Sequence, residues 1–349
     1  PSFVQRAVDS AVPGQDGLES SQNIGGDLKY GVTADLTLNA TVQPDFGQVE
    51  ADPAVVNLSP FETFFAERRP FFVEGARFFQ HPNFDLFYSR RIGTGNAYSR
   101  IRFAGKLTGK TAGGVSVAGL LATTDITQPG QSHNFFKAGE QKSHYAVGRL
   151  GKEFNDGTHR INVMGTAVNH SASRDLYGDE ASREAYTGGL DFDFNFHNRD
   201  YNIQGSLVGS SINHEQSTAD PSAFAGKVEG TGGSLDIRKL GGNIRGSVFG
   251  RWESDKLELN DVGFLSAPDE IVGGAWGQYR YNPEGESRIV NQGNYNLNFW
   301  KAWLYGGRLG TDSNTGDIVW AYRPGHRQSS GTNVNGWTQF RNYWEGWFG

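Results

Sequence analysis

Short runs in which every second residue is apolar recur along this chain, and the connections between them alternate short and long. Leu36, Leu38, Ala40 and Val42 alternate with Thr37, Asn39 and Thr41. Ile101, Phe103, Gly105 and Leu107 alternate with Arg102, Ala104 and Lys106; Val115, Val117, Gly119 and Leu121 follow, then Ile161, Val163, Gly165 and Ala167. The clearest pair sets Leu190, Phe192, Phe194 and Phe196 against Asp191, Asp193 and Asn195, then Tyr201, Ile203, Gly205 and Leu207 against Asn202, Gln204 and Ser206. Leu235 and Ile237, then Ile244 to Trp252 and Ile271 to Tyr281, continue the pattern. A period of two puts one set of side chains on each face of a β-strand.

The connections carry more information than the strands. Turns at Thr33-Ala34, Lys110–Gly113, Asn155–Gly157, His197–Asp200, Leu240–Asn243 and Asn282–Ser287 are short. Between them stand long links at Gln43–Tyr98, Thr123–Ser143, Asn169–Ala185, Asn213–Ala225 and Ser254–Glu270. An up-and-down barrel in an outer membrane has short periplasmic turns and long outer loops, and tilted strands of about 9–11 residues. A soluble sandwich has no reason to sort its loops in this way. Its reading would put Asp191, Asp193, Asn195, Asn202, Gln204 and Ser206 on a solvent face and the Phe row in a core; the barrel reading puts the polar set in a wet lumen and the Phe row against lipid.

Composition agrees with strands. Gly is 48 of 349 residues and aromatics make up 13%, which suits tight turns and pleated surfaces. Mean hydropathy is −0.54 and no apolar stretch is long enough for a membrane helix; alternating strands average out in the same way. The formal charge of −6 argues against a nucleic-acid surface. The chain has no Cys, hence no disulfide framework. It starts at Pro1 without a charged-then-apolar leader, so targeting is not legible. All eight Trp lie from Trp252 onward, as interfacial aromatic girdles or as ordinary core and loop aromatics.

The pattern predicts an all-β chain: an antiparallel up-and-down transmembrane β-barrel of about 14 or more strands, with the region after Tyr295 least clearly patterned. Residues 1–24 read as an N-terminal periplasmic linker and 25–349 as the barrel. One segment, 43–98, does not alternate and is dense in Phe and in both signs of charge. So long a connection is usually functional or structured, and it reads as a plug or constriction folded into the lumen.

Before it and along it stand Gly25-Gly26-Asp27-Leu28-Lys29-Tyr30 and Asn39 through Asp45-Phe46-Gly47-Gln48-Val49-Glu50-Ala51-Asp52-Pro53, then Glu67-Arg68-Arg69-Pro70-Phe71-Phe72-Val73-Glu74-Gly75 and Tyr88-Ser89-Arg90-Arg91-Ile92-Gly93. With the later Leu259-Asn260-Asp261-Val262-Gly263-Phe264-Leu265, these blocks resemble an uncharacterised outer-membrane β-barrel family, the domain of unknown function 5916, across at least residues 25–265. That family usually follows a family-9-type carbohydrate-binding module, which this sequence does not contain. The resemblance implies an outer-membrane barrel. Some members carry hydrolase labels, but no catalytic residue transfers.

Glu67, Arg68, Arg69, Glu74, Arg90 and Arg91 are the candidates for a lumen network, since Arg forks pair with carboxylates and an unpaired charge in a confined lumen is costly. They either fix the plug or, with Phe64, Phe65, Phe71 and Phe72, form a selective constriction. Asp45, Glu50 and Asp52 could hold Ca²⁺ through oxygen ligands, without matching an EF-hand; turn capping is the plainer role. Paired carboxylates for glycoside hydrolysis would come from Glu62, Glu67, Glu74, or Asp191 and Asp193, which share a strand face about 6–7 Å apart. The eight His residues show no zinc spacing, and no nucleophile elbow or P-loop occurs. The functional expectation is a gated or plugged solute conduit, alone or within a transport or export assembly. The rivals are a structural barrel docking a periplasmic or surface protein, and a surface glycan-binding or hydrolytic protein. Outer-membrane lipid is the expected surrounding, with no cofactor beyond Ca²⁺ and no nucleic acid.

Overall fold

A computed structural model describes residues 25–44, 56–58, 61–93, 99–126, 142–170, 183–215, 225–283, 289–311 and 318–349, with the backbone of four short strands outside these ranges. Fourteen strands form one antiparallel sheet. They are β1 (Gly26–Gly31), β2 (Leu36–Val42), β3 (Ser99–Lys110), β4 (Val115–Ile126), β5 (Lys142–Phe154), β6 (His159–His170) and β7 (Arg183–Phe196). There follow β8 (Tyr201–His214), β9 (Gly226–Lys239), β10 (Ile244–Glu253), β11 (Glu270–Tyr281), β12 (Val290–Leu304), β13 (Arg327–Phe340) and β14 (Glu345–Phe348). Each strand pairs with its neighbours in sequence, so the sheet is an unbroken meander.

The links alternate without exception. Those at 32–35, 111–114, 155–158, 197–200, 240–243, 282–289 and 341–344 are short; those at 43–98, 127–141, 171–182, 215–225, 254–269 and 305–326 are long. All short links therefore sit at one end of the strands and all long links at the other. Two long links carry small hairpins, Ser173–Asp175 with Gly178–Glu180 and Arg308–Thr311 with Ile318–Tyr322, and a third, Val4–Val8 with Gly17–Ser21, precedes the sheet. Two short turns are built from positive-φ positions, Asn155-Asp156-Gly157 and His197-Asn198-Arg199; Asn, Asp and Gly enter that region at least cost.

The sheet is curved. At about 4.8 Å per strand step a flat sheet would set β1 and β10 roughly 43 Å apart. Yet Glu74 meets Lys29 of β1 at 2.5 Å, and Phe84 lies beneath Arg251 of β10, 4.7 Å from its ring centroid. Only ten residues separate Glu74 from Phe84, and Ala76–Phe79 among them is coiled into a 3-10 turn. The segment at 61–93 thus lies in the hollow of the sheet. Among the described residues no ladder joins β1 to β14, so the expected ring is an open curved sheet here.

The two faces reverse the usual order of a globular protein. Residues on the convex face are apolar and uncovered: Leu121 is 61% exposed, Leu207 55% and Val248 64%. On the concave face Lys106 is 2% exposed, Asp191 4% and Ser206 1%. The Phe192-Phe194-Phe196 row stands on the convex face, Phe192 stacking on Phe194 at 5.2 Å, while Asp191 and Asn202 opposite are buried. Gly205 makes room for the row, since a Cβ there would come 2.7 Å from Phe192 Cζ.

One expected face is corrected. A bulge between Ile101 and Phe103 adds a residue and reverses the parity of β3. Ile101 is consequently buried on the concave side while Phe103 is exposed on the convex side. The core sits between the sheet and its segment: Phe72, Phe79, Phe84, Leu86 and Ile92 pack on Ile101, Ala118, Leu120, Val147, Met164 and Val208 of the wall. Small Ala residues on the concave face of β3 and β4, Ala104, Ala118 and Ala122, leave space for the Phe rings.

Candidate functional site

The inner segment is held by three sets of contacts. The first is a knot of its own. Pro70 opens a one-turn helix, Pro70–Val73, where its fixed φ and missing N–H suit the first position. Just before it, the Arg69 guanidinium, 4% exposed, donates to Glu67 Oε1 at 2.9 Å and Oε2 at 2.6 Å, to Ile92 O at 2.6 Å and to Ser89 O at 2.8 Å. Ser89 Oγ donates to Glu67 Oε2 at 2.7 Å, and the guanidinium lies 4.3 Å over Phe72. Burial raises the Glu67 carboxyl, but the bonds and charge of Arg69 together with Ser89 outweigh it and hold the group below the usual carboxylate range.

The second set ties the segment to the sheet. Lys106 Nζ of β3 donates to the carbonyls of Phe71 and Glu74, which the short helix leaves without an internal donor; its ammonium stands 4.8 Å over the Phe71 ring. On the other side His81, inside the segment, faces β7. A Cβ on Gly189 would meet Leu86 Cδ1 at 2.6 Å and His81 Cδ2 at 3.3 Å, so only glycine permits this approach. His81 Nδ1 accepts from the Phe84 N–H at 3.2 Å, and Nε2 lies 3.9 Å from Asp191 Oδ2. Burial pulls the imidazole down to about 4, helped by Arg149 and opposed by Asp191. Asp191 in turn is held by Arg149 at 2.8 Å and by Asn162 at 2.6 Å.

The third set is a clamp from the long link between β10 and β11. Leu257, Leu259 and Val262 are buried against the segment and wall. Asp85 and Phe264 form an isolated antiparallel bridge, and the Tyr88 N–H donates to Val262 O at 2.8 Å. Arg91 grips Glu62 through two bonds of 3.0 and 2.7 Å, Asn260 Oδ1 at 3.1 Å and Gly263 O at 3.0 Å. Asp261 pairs with Arg183 of β7 at 2.8 Å.

The packed half of the hollow faces the long links. Toward the short turns lies a cavity of about 780 Å³ between the underside of the segment and the wall of β3 to β8. Its wall charges are paired: Lys110 with Glu153 at 2.7 Å, Arg149 with Asp191, and Arg160 with Asp193. Arg77, Gln80, Asn83 and Asp85 line it from the segment.

The candidates from the sequence are therefore divided. Glu67 and Arg69 meet in the knot, Arg91 belongs to the clamp, and Glu74 pairs with Lys29 at the edge of the sheet. Arg90 donates to Ala66 O at 3.2 Å and lies over Phe65, and Arg68 is exposed. Phe72 alone of the four Phe is fully buried; Phe64 is half-exposed and stacks on Tyr88 at 4.8 Å, Phe65 bonds Tyr88 through its backbone, and Phe71 packs edge-on to Phe72. Asp45, Glu50 and Asp52 lie outside the described residues. Among the described residues no three His, Asp or Glu side chains are placed to hold a metal ion. Sequence reasoning did not single out Phe79, His81, Phe84, Leu86 or Arg149, although Phe79, Phe84 and Leu86 interrupt a polar stretch in a way that signals burial.

No curated protein and no solved structure matches the chain. Residues 3–346 match the family described as Domain of unknown function (DUF5916), and the chain belongs to that family.

Proposed function

We propose that this chain is an outer-membrane β-barrel whose convex face meets lipid and whose lumen is plugged by the segment at 61–93, making it a gated conduit for solutes. The reversed faces carry the reading. Exposed Leu, Val, Ile and aromatic side chains cover the outside of strands from β1 to β13, with polar and charged side chains turned inward. In water so large an apolar surface is a liability; against acyl chains it is what a barrel requires. The short turns then face the periplasm and the long links the outside. Fourteen is an even number, so β1 and β14 run antiparallel and can close by extending the same ladder. Lipid supplies the incentive, because an unpaired sheet edge in hydrocarbon costs several kcal/mol per group.

The absence of native Cys allows a direct test. Single cysteines at Leu121, Leu207, Leu235 and Val248, each carrying a fluorophore, are expected to be quenched by brominated acyl chains in proteoliposomes. A cysteine at Gln204, on the concave face, is expected to escape that quenching. Equal quenching of both sets, or a purified chain that stays monodisperse without detergent, overturns the membrane reading.

A further inference from the structure

We propose that the 780 Å³ cavity beneath the inner segment is a binding site for a small zwitterionic solute, an α-amino acid or a short peptide. This deepens the conduit reading by naming the class of solute that the plug would meet, although the site itself needs only the fold.

The charge arrangement carries the inference. Three cations of the wall are each matched with an anion of the wall: Lys110 with Glu153, Arg149 with Asp191, and Arg160 with Asp193. These pairs neutralise one another and leave little net field to hold a simple ion. Arg77 and Asp85 remain, both from the segment and both facing the cavity. Arg77 touches no carboxylate among the described residues and rests 5.0 Å over the neighbouring Phe78 ring. Asp85 is fixed through its backbone, which bridges Phe264 and accepts from the Phe264 N–H at 2.8 Å; its carboxylate faces the charge of Arg251, whose guanidinium is itself paired with Glu253. One guanidinium and one carboxylate, neither of them in an ion pair among the described residues, suit a ligand that carries one carboxylate and one ammonium. Arg forks bind carboxylates through paired, charge-assisted hydrogen bonds. The Phe78 ring and the amides of Gln80 and Asn83 offer contacts for a peptide backbone and a modest side chain. The volume lies in the range of small-molecule sites.

The test is isothermal titration of the full chain in detergent micelles at neutral pH. The probes are glycylglycine, the same dipeptide with an acetylated amine and an amidated carboxyl, and sucrose. Glycylglycine is expected to bind saturably. Binding is expected to weaken about tenfold or more with Arg77→Gln, with Asp85→Asn and with the doubly blocked dipeptide, as the loss of one charge-assisted bond requires. Arg199→Gln, in the turn between β7 and β8, is expected to leave it unchanged. Near-UV circular dichroism identifies variants that keep the native fold. The proposal is overturned if natively folded chain shows no saturable uptake of glycylglycine, if the blocked dipeptide or sucrose binds as well, or if only one of the two variants weakens binding. Each of those results leaves lipid contact, read by fluorophore quenching, untouched.

Discussion

Arg69 is the residue on which the inner segment turns. Four acceptors from Glu67, Ser89 and Ile92 surround one buried guanidinium. A buried pair of this kind adds little over a hydrophobic replacement, but breaking it strands a charge. Glu67→Ala is therefore expected to weaken docking of the segment by about 3–5 kcal/mol, and Arg69→Lys to be damaging despite keeping the charge, because an ammonium cannot reproduce the fork. Since every Trp lies at or after position 252, Trp fluorescence reports poorly on this region; hydrogen exchange at the amides of Phe72, Val73 and Glu74, bonded to Arg69 and Pro70 carbonyls, is the direct measurement. His81 adds a pH dependence of known sign. Its imidazole falls from an ordinary 6.5 to about 4 in the folded state, so the undocked state binds the proton more readily. Docking is at full strength above pH 6.5 and weakens as the pH falls toward 4, by on the order of 3 kcal/mol in all. Protection factors across the segment, with the intrinsic pH dependence of amide exchange divided out, are expected to fall over that window and to lose most of the fall in His81→Gln; protection that stays constant in the native chain refutes the assignment.

The link between β10 and β11 acts as a clamp because one asparagine organises it. Asn260 donates to Leu265 O at 3.0 Å, accepts from the Leu265 N–H at 2.8 Å and accepts from Arg91 at 3.1 Å. Asn260→Ala is expected to cost about 1–3 kcal/mol of clamp stability, read as faster exchange at the Tyr88 amide, which is bonded to Val262, while the amides of β5 to β8 keep their protection. The strands themselves were legible in the sequence, because an alternating face is a local signal and the sorting of links needs only the order of the elements. The bulge at Ile101 was not legible: it moves a single residue, and the run reads equally well in either parity. The region after Tyr295 was the least clearly patterned, yet Asn294, Asn296 and Asn298 alternate strictly with Tyr295, Leu297 and Phe299 and put amides on the inner face. There they form a ladder, Gln278 to Asn296 at 2.9 Å and Asn296 to Asn335 at 2.8 Å. The block at 259–265 stood out as a motif, but its role as a partner of Asp85, Tyr88 and Arg91 depends on contacts about 170 residues apart, which no local pattern encodes. The charged residues of 67–91 fall into separate groups, Glu67 with Arg69, Glu74 with Lys29 and Arg91 with Glu62, a division that no local pattern encodes either.

At the scale of the whole molecule, the packing bears on whether the proposed conduit is open or closed. The segment and the clamp fill the half of the hollow nearest the long links with Phe, Leu and Ile side chains, while the half nearest the short turns stays open as a polar cavity. A closed ring of these strands in a planar bilayer is thus expected to be almost silent. The segment has two anchors: the Arg69 knot within it, and Lys106 reaching from β3 to the carbonyls of Phe71 and Glu74. Removing both, in Arg69→Ala with Lys106→Met, is expected to raise single-channel conductance and the fraction of time spent open. For the proposed conduit, selectivity is expected to follow the charges along the wall, where Arg149–Asp191, Arg160–Asp193, Arg238–Asp236 and Arg251–Glu253 are ion pairs. Rings of one sign give strong ion selectivity; paired charges do not, so the opened variant is expected to pass K⁺ and Cl⁻ within roughly a factor of two of each other. A native chain that conducts freely in the bilayer would show that the segment leaves an open path, and a doubly altered chain that remains folded, inserted and silent would show that the segment does not gate.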